Sequence, residues 1–189
     1  MDNIVATNKA GNFPGLIHST PMITVNFKDL KKTDLQRVFE WLALPHIAEW
    51  WRESRDFAIF STKYKEKISA DYMGQYIIEH EGTPIGYVQW SQVTAHANRE
   101  VHGPLRTYGF DIFIADLDYV GKGYGAEIIL QFIKTILVPL NPSKIIVDPE
   151  ISNVRAIRAY EKAGFRKTKV CQTTDGTRLV TAQIMELDI

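Results

Sequence analysis

The chain has a single cysteine, Cys171. An internal disulfide is therefore excluded, and one thiol on an alternating strand segment reads as a small packed residue rather than a nucleophile. A reducing, cytoplasmic setting is compatible with that. An excess of one charge is also missing: 22 Lys and Arg balance 22 Asp and Glu. Such a balance argues against a nucleic-acid binder. No apolar run approaches the roughly 18 residues of a membrane span. The five histidines lack metal-ligand spacing, so no metal is expected; His96 and His102 read as residues of a polar loop. No Gly-Lys-Ser/Thr closes a glycine-rich loop, which excludes a magnesium–nucleotide P-loop. No G-x-G-x-x-G opens an early strand–helix unit, which excludes the dinucleotide fingerprint. Internal repeats and dividing linkers are absent too. Residues 1–21 are rich in Asn, Gly, Ser and Pro and lack the apolar centre of a signal peptide. They are expected to form a flexible arm, leaving 22–189 as one domain.

What is present begins with Val120-Gly121-Lys122-Gly123-Tyr124-Gly125. An apolar stripe follows at once: Ile128, Ile129, Phe132, Ile133, Ile136 and Leu137. This spacing predicts a glycine-rich turn opening a core helix. Glycines let backbone N–H groups converge on a ligand. The helix start adds unpaired N–H groups and a positive dipole end. Together they suit a phosphate or pyrophosphate, although such a turn also serves simply to change chain direction. Downstream, Lys144-Ile145-Ile146-Val147 reads as a buried strand stopped by Asp148-Pro149. A helix follows, with Ser152 as its expected N-cap and Gly164 at C′. Asn153 and Tyr160 lie two turns apart on that helix and share a face.

The remaining elements follow from periodicity. Ile23, Val25 and Phe27 alternate with Thr24 and Asn26 as a strand. Thr33 and Gln36 suggest a capping box before the stripe Leu35, Val38, Phe39, Leu42. Pro45 opens a short helix through Trp51, and a polar helix is expected near Lys63–Ser69. Tyr72–Glu79 and Ile85–Val93 form a hairpin about Glu81-Gly82-Thr83-Pro84. Residues 94–107 read as a loop beside the site, with Tyr108–Ala115 the next strand. Phe165–Thr173 and Thr177–Leu187 close as a hairpin about Thr174-Asp175-Gly176. The order predicts an α/β domain of the α+β type, with a mixed, largely antiparallel sheet of about seven strands and about four helices.

The glycine turn and the helix Asn153-Val154-Arg155-Ala156-Ile157-Arg158-Ala159-Tyr160-Glu161-Lys162-Ala163-Gly164-Phe165 together resemble the GNAT superfamily of acyl-CoA-dependent N-acetyltransferases. Val120 stands where that superfamily usually has Gln or Arg. Glu40-Trp41-Leu42, His46 to Trp51, Pro84 to Gln89, Gly109-Phe110-Asp111, Asp148-Pro149 and Thr174-Asp175-Gly176 extend the likeness, in order, to the aminoglycoside 6′-N-acetyltransferases. The resemblance implies acetyl-CoA as co-substrate, held in a splay between the strands ending near Asp111 and Val147. It implies that Val120, Gly121, Lys122, Gly123, Tyr124 and Gly125 hold the pyrophosphate. The backbone of Ile112, Phe113 and Ile114 would hold the thioester end, and Asn153, Ala156 and Tyr160 would line the pantetheine arm.

An activated thioester needs no covalent enzyme intermediate, only positioning, amine deprotonation and thiolate protonation. Tyr160 is the candidate acid or, alternatively, a core tyrosine. Asn153 is a pantetheine ligand, a helix cap, or both. Asp111, a carboxylate in an apolar strand, either meets the acceptor amine or has a structural partner. Glu49, Trp50, Trp51, Asp111, Asp148 and Asp175 are expected to bind the acceptor. Core packing for the tryptophans and a plain hairpin turn for Asp175 remain open. The expected partner is a small amine, for a monomer or homodimer without nucleic acid or membrane. Another amine, such as a siderophore-type lysine derivative or a protein N-terminus, and a non-catalytic CoA-binding module are the competing readings.

Overall fold

The computed structural model describes residues 23–93, 106–175 and 178–189, with no side-chain detail at Asp175. The expected arm at 1–21 and most of the 94–107 loop, with His96 and His102, lie outside these residues. Seven strands form one sheet: β1 (Asn26–Asp29), β2 (Met73–His80), β3 (Thr83–Gln92), β4 (Thr107–Ile114), β5 (Lys144–Val147), β6 (Arg166–Asp175) and β7 (Arg178–Asp188). Their spatial order is β1-β2-β3-β4-β5-β7-β6. Every neighbouring pair is antiparallel except β4 and β5. Among the described residues five α-helices accompany it, one more than expected: α1 (Leu35–Leu42), the single turn α2 (Pro45–Ala48), α3 (Phe57–Ile68), α4 (Tyr124–Phe132) and α5 (Val154–Lys162).

Both faces of the sheet are covered. One core gathers Ile78, Val88, Phe110 and Ile145 against Ile128, Phe132 and Ile157 of α4 and α5. The other packs Ile77, Tyr87 and Phe113 against Leu35, Val38, Ile47 and Phe60 of the first three helices. This explains why β3 is buried continuously from Ile85 to Val88 rather than alternating. Cys171 is buried with Ile146, Ala182 and Ile184 in a small third cluster, as a packed residue. Among the described residues, no helix is long and apolar enough to cross a membrane.

Several local expectations are corrected. Thr33 lies inside a 3₁₀ turn, Lys32–Asp34, ahead of α1. Asp34 accepts from the Lys31 N–H at 3.0 Å, while Gln36 donates to Glu40 along the helix. The polar helix starts six residues before Lys63, because Asp56 accepts from the N–H groups of Ala58 and Ile59. The β2–β3 turn is only Glu81-Gly82, both at positive φ, and Pro84 sits within β3. The helix after the glycine turn widens to a π turn at Ile133–Leu137.

The cap of α5 is Asn153, one residue after Ser152; its Oδ1 accepts from the Ala156 N–H at 3.1 Å. Gly164 has φ +96 and ends the helix as expected. The Phe165 N–H bonds the Tyr160 carbonyl and the Gly164 N–H bonds that of Glu161, and the Phe165 ring packs on Tyr160 at 5.6 Å.

Candidate active site

The parallel pairing of β4 with β5 lasts three residues, from Thr107↔Lys144 to Gly109↔Ile146. Beyond it, β4 runs on to Ile114. The β5 side stays with β7 instead: the Gln183 N–H bonds the Pro149 carbonyl and the Ile151 N–H that of Thr181, each at 2.9 Å. The sheet therefore splits after Gly109. Val93 donates to the Thr107 carbonyl, and Ala115 to that of Ile85. Strand alternation then turns the backbone groups of Asp111 and Phe113 toward β3. Those of Phe110, Ile112 and Ile114 face the split. Of the three expected backbone contacts, Ile112 and Ile114 have this orientation and Phe113 does not. The Ile114 carbonyl already lies 3.2 Å from His46 Nε2.

The split opens into a cleft of about 810 Å³. Its floor is the free edge of β4 and its rim is the glycine turn. Gly121 and Gly123 have φ +76 and +92. Gly123 is the N-cap of α4, and among the described residues no side chain caps that helix. Its first-turn N–H groups are therefore open to a ligand. Val120, Gly121, Gly123 and Gly125 line the cleft. Lys122 does not; it lies 3.7 Å from Asp118. Tyr124 packs on Tyr119, with ring centroids 5.8 Å apart, and is also off the cleft wall.

Helix α5 forms the opposite wall with Asn153, Ala156 and Tyr160. Asn153 Oδ1 is used as the cap. Tyr160 is buried, edge-on to Phe110 at 5.8 Å. Burial raises its pKa, with the Asp111 and Asp148 carboxylates adding to the effect. The phenol thus keeps its proton throughout the neutral range. An ordinary phenol is already a weaker acid than a thiol, whose pKa is about 8.5, so full proton transfer to a thiolate is uphill and the shift adds to this. The group suits hydrogen-bond donation to developing charge on sulfur.

At the far end Asp111 is exposed to the cleft rather than sealed in the strand. Its Oδ2 accepts from Gln89 Nε2 at 2.9 Å. The Tyr87 hydroxyl lies between two amide oxygens and donates its one proton to either, Gln75 Oε1 at 2.7 Å or Gln89 Oε1 at 3.1 Å. With Tyr87 and Lys67 on its oxygen side, the Gln89 amide turns an N–H to Asp111. Trp51 serves both expected roles: it lines the cleft and packs edge-on against Phe113 at 5.2 Å and Tyr87 at 5.6 Å. Trp50 and Asp148 also line the cleft. Glu49 is exposed and off the cleft wall; its carbonyl accepts from Arg52. The side chain of Asp175 lies outside the described residues.

Residues missed from the sequence join this wall. Arg52 pairs with Glu150 at 2.5 Å and Lys63 with Glu53 at 2.5 Å. Lys67 Nζ sits 4.7 Å over the Tyr64 ring and 3.5 Å from Gln89 Oε1. The signal for Lys67 was helical spacing, three residues after Tyr64 and four after Lys63. It lay within the helix expected near Lys63–Ser69, but nothing local placed that helix against Gln89. Among the described residues, no group of three or more His, Cys, Asp or Glu is arranged to hold a metal.

Residues 31–173 match the family model described as an acetyltransferase (GNAT) domain. The chain is 31% identical over 175 residues to an aminoglycoside N(6′)-acetyltransferase type 1 of Klebsiella pneumoniae, covering 85% of this chain and 83% of that protein. The fold is similar to the crystal structure of aminoglycoside acetyltransferase AAC(6′)-Ib in complex with coenzyme A and kanamycin. That match has a TM-score of 0.77 at 30% identity, over 87% of this chain and 95% of the other. An aminoglycoside N(6′)-acetyltransferase from Legionella pneumophila matches with a TM-score of 0.69 at 25% identity, over 90% and 95% of the chains. A split sheet, an uncapped glycine turn, and a family match over three-quarters of the length agree: the chain belongs to the GNAT acetyltransferase family.

Proposed function

We propose that the protein transfers an acetyl group from acetyl-CoA to the 6′-amine of an aminoglycoside-type sugar, by direct attack within a ternary complex. One observation carries the reading: a single cleft joins the open β4 edge and glycine turn to the Asp111 carboxylate, with Tyr160 between them on the facing wall. The relatives that cover most of this chain are aminoglycoside N(6′)-acetyltransferases, one of them in complex with coenzyme A and kanamycin. The cleft fits such a co-substrate. Uncapped N–H groups at the start of α4 suit a pyrophosphate, and the free edge of β4 suits the amides of a pantetheine arm.

Acetyl-CoA supplies the activated thioester. Asp111 attracts the acceptor ammonium and accepts its proton, while Gln89 holds the carboxylate in place. The Ile112 N–H, aimed into the split, donates to the carbonyl oxygen under attack. Tyr160 donates to the departing sulfur. Trp50 and Trp51 offer flat apolar faces to a sugar ring, and Asp148 adds negative charge for a second ammonium. Residues 22–189 act as one catalytic domain. Every proposed contact comes from one chain, so a monomer or a homodimer suffices. Dependence on acetyl-CoA supports a cytoplasmic location.

The test is thiol release from acetyl-CoA with purified protein and a panel of amines. Release with kanamycin and tobramycin, and none with a congener lacking the 6′-amine, is the expected result. Release only with spermidine, hydroxylysine or a short peptide would replace the acceptor and keep the chemistry. A specific observation favours an acceptor of lower positive charge, such as a lysine derivative or a peptide: Arg52, Lys63 and Lys67 all line the cleft.

A further inference from the structure

We propose that Lys67 is a specificity residue, whose ammonium occupies a cation position beside Asp111 and turns away acceptors that bring a second ammonium there. The proposal rests on the aminoglycoside reading and refines it. The three cations at the acceptor end are not equivalent. Arg52 and Lys63 each meet a carboxylate, Glu150 and Glu53, at 2.5 Å. Lys67 instead meets the Tyr64 ring and the Gln89 amide oxygen. A ring face and an amide oxygen are what a pocket offers a ligand cation. Lys67 thus fills, from the enzyme's own chain, a position suited to an acceptor ammonium.

The surroundings support this placement. Glu53 and Asp111 lie near enough to favour the charged form of Lys67. Burial and the adjacent Lys63 act the other way, and the net shift of its pKa is downward. Another ammonium beside it would add a third cation to Lys63 and Lys67. The path from Lys67 to Asp111 is one hydrogen bond of 3.5 Å, the width of the Gln89 amide and a second hydrogen bond of 2.9 Å. A single amide therefore bridges the two charges. An acceptor whose reacting amine meets Asp111 then brings the other substituents of its ring toward Lys67. A hydroxyl there can donate to or accept from its neighbours, whereas an ammonium meets like charge.

Kanamycin A and kanamycin B form the matched pair, since they differ only in a hydroxyl or an amine at the 2′ position. The expected result is that wild-type protein prefers kanamycin A by about tenfold in kcat/KM, mostly through KM. Lys67→Met keeps the apolar stem and removes the charge; it should bring the ratio near one. Lys67→Arg keeps the charge and should retain the preference. Equal use of both compounds by wild type, or a ratio unchanged in Lys67→Met, would overturn the proposal. If neither compound is acetylated, the proposed acceptor fails on its own. The pair is then compared by calorimetry with coenzyme A present. A tenfold affinity preference that Lys67→Met abolishes would still support the role of Lys67, and equal affinities would refute it.

Discussion

Replacing Asp111 by Asn tests the centre of the proposed chemistry. The two side chains have the same shape, and an Asn oxygen can still accept from Gln89 Nε2, now 2.9 Å from the carboxylate. The perturbation is therefore loss of charge and of basicity with little loss of geometry. A carboxylate and an ammonium 4 Å apart attract by about 1 kcal/mol in water and about 4 kcal/mol at an effective dielectric of 20. Asp111 is exposed to an open cleft, so a value of about 2 kcal/mol is appropriate. That corresponds to a rise in acceptor KM of roughly 30-fold. A lost general base removes a further factor of about 10² to 10⁴ from kcat. The two roles thus separate in the two kinetic parameters. The assay is thiol release at saturating acetyl-CoA with the acceptor varied. Coenzyme A affinity by calorimetry should change less than about twofold, and the thermal midpoint by no more than about 2 °C. A change confined to KM would leave Asp111 as a binding residue only. Wild-type kcat and KM would refute the argument.

Other consequences are open to measurement. The pKa of Tyr160 is raised from its ordinary value of 10 by burial, Asp111 and Asp148. Its protonated form is favoured by folding, so that contribution is complete below pH 10 and is lost as pH rises above it. The slope is about 1.4 kcal/mol per pH unit. Tyr160→Phe should lessen alkaline destabilisation in denaturant titrations at pH 9 to 11, and should lower kcat at neutral pH by about tenfold or more; an unchanged kcat would remove Tyr160 from the reaction. Gly121→Ala places a Cβ in open space at φ +76, as Gly82→Ala does at φ +79 in the distant β2–β3 turn. Both should cost about 1–2 kcal/mol of stability. Only Gly121→Ala should raise the KM for acetyl-CoA, by about tenfold, and equal KM values in the two variants would separate the turn from pyrophosphate binding. Gly164→Ala, at φ +96 with Leu187 Cδ1 at an ordinary 3.6 Å from the added Cβ, should lower the thermal midpoint by about 2–8 °C without changing either KM.

The chain determined locally whatever depends on neighbours in sequence. Alternation gave the strands, three glycines before an apolar stripe gave the turn and α4, and Gly164 ended α5. Those signals work because helix and strand periods are short-range and because positive φ selects glycine. Where two local signals competed, the sequence did not choose: Ser152 and Asn153 were both fit to cap α5, and Asn153 took the place. Tertiary structure decided what depends on pairing at long range. The β3–β4 register sets Gln89 opposite Asp111, and no local pattern fixes a register across residues 89 to 111. The split of the sheet exists because the chain after Val147 follows β7 rather than β4, a choice between two distant partners. Lys67 reached the cleft wall because α3 packs its Phe60 and Tyr64 into the second core, which carries the next turn of the helix to Gln89. Residue types along the chain marked this protein as an acetyltransferase; the packing of α3 against β3 and β4 decided which charges line the cleft.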